Sequence, residues 1–272
     1  MDAKKKRIVV KVGTSTLTYE DGNLNFRRID RLAMAISSLM NMGNELVLVS
    51  SGAIAVGVSK LRLPEKPKEL RMKQAAASVG QCELIHIYDK FFGEYGKTVG
   101  QILLNGEDVD DPKKRLNLTN TFESLLEKGI LPIVNENDSV NCAEIESDKK
   151  IFGDNDGLSA LVAVMCGADL LILLSDIDGL YDGDPRTNPE ARFISRVDDV
   201  STVVGLAGGA GSRRGTGGMI TKLEAAKTAT DNGIDMIITN GSRPENLFDI
   251  AEHRVVGTLF KAKKEASVCT IP

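Results

Sequence analysis

Several short stretches of this chain carry side chains suited to binding phosphate, carboxylate or amine groups. Lys11-Val12-Gly13-Thr14-Ser15-Thr16 sets a cation beside a flexible backbone and a run of hydroxyls. Phosphate oxygens are held by such cations and by converging backbone N–H groups. An edge lysine snorkelling past an ordinary turn is the alternative. Ser50-Ser51-Gly52-Ala53 offers backbone amides at a helix start, suited to a carboxylate or phosphate, or simply a serine N-cap. Asn135-Glu136-Asn137-Asp138 and Gly153-Asp154-Asn155-Asp156-Gly157 supply amides and carboxylates that could bind an amino group, orient lysines or hold Mg2+ through water. The same residue types dominate plain turns. Gly215-Thr216-Gly217-Gly218-Met219-Ile220-Thr221-Lys222 reads as a glycine loop opening a helix, with Lys222 in the first turn. A cation there opposes the helix dipole, which a bound anion would explain; a flexible surface loop is the alternative. Ser175-Asp176-Ile177-Asp178-Gly179-Leu180-Tyr181 could wall a purine, with Tyr181 beside it or in the core.

Four of these stretches, those at Lys11, Ser50, Asn135 and Ser175, sit where short β-rich runs end. Arg7–Val12, Glu45–Ser50, Thr98–Leu104, Ile130–Asn135, Leu170–Ser175 and Ile234–Thr239 are compact apolar runs, as expected of strands buried on both faces of a parallel sheet. Between them, helical spacing runs through Ile29–Met40, Glu69–Phe92, Lys113–Lys128, Leu158–Cys166 and Thr221–Asn232. The alternation predicts an α/β fold, a three-layer αβα sandwich on a mostly parallel central sheet. Ligands bind such sheets at the carboxyl ends of the strands, where those four stretches fall. The charged segment 141–152 reads as a solvent-facing hairpin or lid.

Composition narrows the chemistry. The chain has 272 residues, 34 Lys+Arg against 38 Asp+Glu, a net charge of −4 and 42% hydrophobic residues. That composition suits a globular core and excludes collagen-like and disordered classes. The slight acidity argues against nucleic acid as the main partner. Apolar runs are far shorter than the roughly 20 residues of a membrane span. Four scattered cysteines without a C-x-x-C pair predict reduced thiols in a cytoplasmic protein. With only two histidines, His86 and His253, histidine catalysis and multi-histidine metal sites are disfavoured. The Walker pattern G-x-x-x-x-G-K-[ST] is absent, and no G-x-G-x-x-G follows the first strand, which disfavours a nicotinamide-dependent oxidoreductase.

Taken in order, Lys11–Ser15, Ser51–Ala55, Val134–Asp138, Gly153–Asp156, Asp184-Pro185-Arg186 and Gly215–Met219 closely resemble the amino acid kinase family, from Lys11 to about Phe260. Ala75-Ala76-Ala77-Ser78-Val79-Gly80-Gln81 resembles the glutamate-phosphorylating branch rather than the carbamate, acetylglutamate or uridylate branches. The resemblance implies ATP-dependent phosphorylation of the L-glutamate side-chain carboxylate, the first step of proline biosynthesis. It implies that Lys11 and Lys222 contact the transferring phosphate and that Asp156 orients them. Ser51, Gly52, Ala53, Asp138 and Asn155 correspond to the glutamate positions. Lys11, Gly13, Thr14, Ser175, Asp176, Tyr181 and the loop Thr216, Gly217, Gly218, Met219, Ile220, Thr221 and Lys222 correspond to the ATP positions. Ser175 replaces a threonine common in the family and keeps the hydroxyl. Mg2+ is expected mainly through ATP, with no dedicated protein metal site. Feedback inhibition by proline and assembly into dimers or tetramers are further implications. The length predicts one kinase domain over residues 1–272 without the C-terminal PUA domain of many bacterial relatives. A non-catalytic amino-acid sensor on the same scaffold is the competing reading, disfavoured by Lys11, Asp156 and Lys222 occurring together.

Overall fold

The computed structural model describes residues 5–19, 22–140, 155–208, 217–254 and 256–263. Its strands are β1 (Arg7–Val12), β2 (Glu45–Ser50), β3 (Val99–Leu104), β4 (Leu131–Glu136), β5 (Leu170–Ser175), β6 (Leu180–Tyr181), β7 (Phe193–Ile194), β8 (Arg196–Val197), β9 (Asp235–Asn240) and β10 (Thr258–Phe260). The main sheet runs β3-β4-β2-β1-β5-β9-β10-β8, and β6 pairs with β7 as a separate hairpin. Every neighbouring pair in the main sheet is parallel except β9 with β10. The six strands expected from the sequence are all present, each within a residue of its expected ends.

The helices are α1 (Thr14–Leu17), α2 (Phe26–Asn41), α3 (Ala53–Lys60), α4 (Leu70–Glu94), α5 (Gly106–Asp110), α6 (Pro112–Glu127), α7 (Asn155–Met165), α8 (Gly217–Asp231) and α9 (Asn246–Ala251). Alternate strand residues point to opposite faces, and both faces are buried. Val9, Val47, Val49, Leu171 and Leu173 pack under α6, α7 and α8. Ile8, Val10, Leu46, Leu48 and Ile172 pack under α2, α3, α4 and α9. This is the three-layer αβα sandwich that the continuous apolar runs predict. The chain passes outward in one direction from β1 and in the other from β5, so a crevice opens between their carboxyl ends.

Two local features position what lies in that crevice. Helices α3 and α4 meet backbone to backbone. A Cβ on Gly57 would sit 1.8 Å from the carbonyl oxygen of Ala76, and one on Gly80 would sit 1.8 Å from that of Ala53. Only glycine permits either approach. Helices α7 and α8 also begin earlier than their apolar periodicity suggests, at Asn155 and Gly217 rather than Leu158 and Thr221. The Asn-Asp-Gly sequence reads as a turn, yet Asp156 gains from the positive end of the helix dipole, and tertiary packing offsets the weak helix propensity of Gly157. Lys222 accordingly lies in the second turn of α8, so the dipole argument for an anion beside it is weaker than the sequence implied.

Candidate active site

The centre of the crevice is a buried ionic triad. Asp156, in the first turn of α7, has 0% exposure. Lys11, on β1, places Nζ 2.5 Å from one carboxylate oxygen, and Lys222, on α8, places Nζ 2.9 Å from the other. Thr221 Oγ1 lies 3.4 Å from the second oxygen, and Lys222 also donates to the Gly218 carbonyl at 3.2 Å. Burial alone would push the Asp156 carboxyl upward, but the two ammonium charges outweigh it and hold the group below its ordinary value. Two cations and one anion leave one positive charge, with a small exposed fraction of each lysine facing the crevice (10% for Lys11, 12% for Lys222). A buried charge without a partner is strongly unfavourable, so Asp156 is what allows two lysines to converge here.

Around Lys11 the backbone turns tightly. A Cβ on Gly13 would lie 3.8 Å from Lys11 Nζ, so the loop into α1 passes beside the ammonium. Ser51 N–H donates to the Val12 carbonyl at 3.1 Å, tying the end of β2 to the end of β1. Gly52 then adopts φ +97°, a left-handed conformation suited to glycine, and packs against Thr14. Ala53 is buried as the first residue of α3.

On the β2–β4 side the hydrogen-bonded network is built from uncharged groups, with Glu136 and Asp138 half-buried at its edge. Asn155 Nδ2 donates to the Ser50 carbonyl at 2.6 Å and to Asn135 Oδ1 at 3.0 Å. Asn135 Nδ2 in turn donates to Gln81 Oε1 at 2.8 Å. Ser50 Oγ and Tyr88 OH are hydrogen-bonded at 2.8 Å. Burial pushes the Tyr88 phenol well above its ordinary value, with the Ser50 bond offsetting part of that rise. Asp138 follows β4 by two residues and is half-buried at this edge.

On the β5 side a cavity of about 180 Å³ lies between the end of β5, the β6–β7 hairpin and the start of α8. Ser175, Asp176, Tyr181, Gly218, Met219 and Lys222 are among its lining residues. Enclosed ligand pockets run to roughly 300–1,000 Å³, so this cavity is smaller than a whole ligand site, and Lys222 connects it to the triad. Tyr181 is half-buried and packs edge to face on Phe193, with ring centroids 5.3 Å apart. Asp176 bonds Arg186 at 2.8 Å. Burial would raise its carboxyl, but its own backbone N–H, the Ser175 hydroxyl and Arg186 together hold it low.

The structure therefore brings together Lys11, Gly13, Thr14, Ser51, Gly52, Ala53, Asn155, Asp156 and Lys222, with the β5 cavity adjoining through Lys222. Gly217 opens α8, Thr221 reaches Asp156, and Ile220 is exposed on α8. Thr216 and the expected lid at 141–152 lie outside the described residues. Cys82 and Cys166 are free thiols. Nothing local in the sequence joins Gln81, Tyr88, Ser50 and Asn135 into one network. The available signal was the seven-residue spacing of Gln81 and Tyr88, which sets both on one face of α4.

The model of the amino acid kinase family matches residues 6–240. The chain belongs to this family. A glutamate 5-kinase from Clostridium perfringens is 58% identical over 260 residues, covering 95% of this chain and 96% of the relative. One from Listeria innocua is 55% identical, covering 96% and 94% respectively. Among solved structures, a Giardia lamblia carbamate kinase bound to AMP-PNP superposes with TM-score 0.68 at 16% identity, covering 97% of this chain and all of the other. A UMP kinase from Bacillus anthracis gives 0.63 at 16% identity, covering 95% and 97%. These two likenesses establish the amino acid kinase fold. Among the described residues of this family member, no group of three or more His, Cys, Asp or Glu side chains could hold a metal ion, and no helix is long and apolar enough to cross a membrane.

Proposed function

We propose that this amino acid kinase transfers the γ-phosphoryl group of ATP to the side-chain carboxylate of L-glutamate, giving γ-glutamyl phosphate and ADP, the entry step of proline biosynthesis. The observation that carries this reading is Lys222, which lines the β5 cavity and also bonds Asp156 opposite Lys11. A nucleotide base and ribose in that cavity would direct the phosphates towards both lysines. The identity with glutamate 5-kinases over nearly the whole chain supports glutamate as acceptor.

The chemistry requires no general base. A glutamate side chain, with an ordinary pKa of about 4.3, is already an anionic nucleophile at neutral pH. One carboxylate oxygen forms a bond to the γ-phosphorus. The bond from that phosphorus to the β–γ bridging oxygen breaks, and its electron pair leaves with ADP. The barrier is repulsion between two anions, offset by positioning and local positive charge. Lys11 and Lys222 supply that charge, and Asp156 fixes where it lies. Ser51, Gly52, Ala53, Asp138 and Asn155 hold glutamate on the β2–β4 side. Gly13 and Thr14, Ser175 and Asp176, Tyr181 and residues 216–222 hold ATP. Mg2+ fits this site as a passenger on the nucleotide, since the Asp156 carboxylate is committed to lysines; when bound it neutralises phosphate charge.

Incubation with ATP, Mg2+, L-glutamate and hydroxylamine should yield a glutamate-dependent hydroxamate, with aspartate and acetylglutamate giving far less. Folded protein that releases no ADP above background, or that saturably binds glutamate without turnover, would favour the sensor reading instead. The family likeness also supports proline as an inhibitor competing at the glutamate side and a dimeric or tetrameric assembly. Proline titrations at several glutamate concentrations and sedimentation velocity check these.

A further inference from the structure

The buried network behind Asn155 has a direction that its geometry fixes. The Ser50 carbonyl can only accept a hydrogen bond. The 2.6 Å contact therefore sets the amide nitrogen, not the oxygen, of Asn155 against it. The same nitrogen contacts Asn135, so Asn135 must present its oxygen there and turn its own nitrogen away, onto Gln81 Oε1. Each amide in the series is thereby locked in one of its two flipped orientations. With both Nδ2 donors committed, Asn155 has its Oδ1 left to receive a donor from a ligand.

We infer that Gln81 is a positioning residue for the acceptor side of the reaction, holding the Asn135 and Asn155 amides in the orientation that receives the ammonium group of the amino-acid substrate. This rests on the glutamate reading above. Its own support is the one-way series of donors, the near-complete burial of Ser50 and Asn135, and the fit of α4 against the crevice. The Gly80 contact places α4 against the backbone of Ala53 at the head of α3, which sets how deeply the next residue, Gln81, reaches. Tyr88, on the same face of α4, bonds the Ser50 hydroxyl, so one helix secures both strand ends that Asn155 uses. Gln81 touches neither lysine of the triad nor the β5 cavity, so its effect should be confined to one substrate.

Steady-state kinetics of Gln81→Met, Gln81→Lys and Gln81→Glu test this. Methionine removes the acceptor at similar size, lysine offers only donors, and glutamate keeps the acceptor. Leaving the buried Asn135 donor unpaired should raise the KM for glutamate about tenfold or more. The KM for ATP should stay within about twofold in Met and Lys variants, and Gln81→Glu should recover most of the loss. An unchanged glutamate KM, equal rises in both KM values, or a Glu variant as impaired as Met would overturn the inference. If the Met variant fails to fold, the Lys variant, whose stem can reach solvent from the half-buried site, gives the same readout. A wild-type protein with no glutamate-dependent ADP release would instead sink the underlying reading of function.

Discussion

On the β2–β4 side of the crevice amides and hydroxyls are bonded in series, with the Asp138 carboxylate at the edge, whereas on the β5 side the polar groups are charges beside a half-apolar wall. The two halves are built for different demands. An amino acid presents charged donors and acceptors at fixed angles, which polar groups locked in orientation can match. Phosphate groups present diffuse negative charge, so they are best met by cations whose mutual repulsion is relieved from behind. Asp156 does this for Lys11 and Lys222 at 2.5 and 2.9 Å, while Asn155, the preceding residue, belongs to the amide series.

The comparison can be broken most forcefully at the triad. Asp156→Asn should destabilise the protein by about 3–5 kcal/mol, because it leaves the buried Lys11 and the half-buried Lys222 without their counter-charge, and should also reduce turnover; chemical denaturation measures the first. The pH dependence follows from the sign of the shift. The folded carboxyl titrates below its ordinary 3.8, so its stabilisation is complete above the unfolded value and is lost as pH falls through the folded one. The stability gap between wild type and Asp156→Asn should thus be constant from pH 7 to about 5 and narrow below about 4. Lys222→Met should lower kcat by about 10²–10⁴-fold with circular dichroism unchanged; near-normal turnover would remove Lys222 from the chemistry.

Changes on the amide side should be milder and differently distributed. Gly80→Ala forces a methyl into the Ala53 carbonyl and should destabilise by about 1–3 kcal/mol, with a rise in glutamate KM as α4 shifts outward. Thermal melts and kinetics together check it. If ATP affinity fell equally, the two halves would not be separable. Smallest is Arg186→Ala at the exposed pair with Asp176, expected to alter stability by less than about 1 kcal/mol.

The fold and the cationic centre were legible in the sequence because each is written locally. Continuous apolar runs announce strands buried on two faces, and Lys11 and Lys222 stand out beside glycines. What was not legible depends on contacts across the fold. Nothing near Gln81 reveals that its side chain meets Asn135, 54 positions away. Asn155-Asp156-Gly157 carries strong turn propensity, and only packing of α7 against the sheet turns it into a helix start. Gly57 and Gly80 lie inside helices, where glycine costs stability, yet each is required by a carbonyl less than 2 Å from where its Cβ would be.

Asn155 and Asp156 share one turn of α7, and that adjacency has a thermodynamic consequence. A ligand that steadies this turn from one side alters the free energy of whatever binds on the other. Linkage then demands reciprocity: the factor by which glutamate changes the affinity for nucleotide equals the factor by which nucleotide changes the affinity for glutamate. Isothermal titrations with a non-hydrolysable nucleotide, run in both orders, would measure that one number twice.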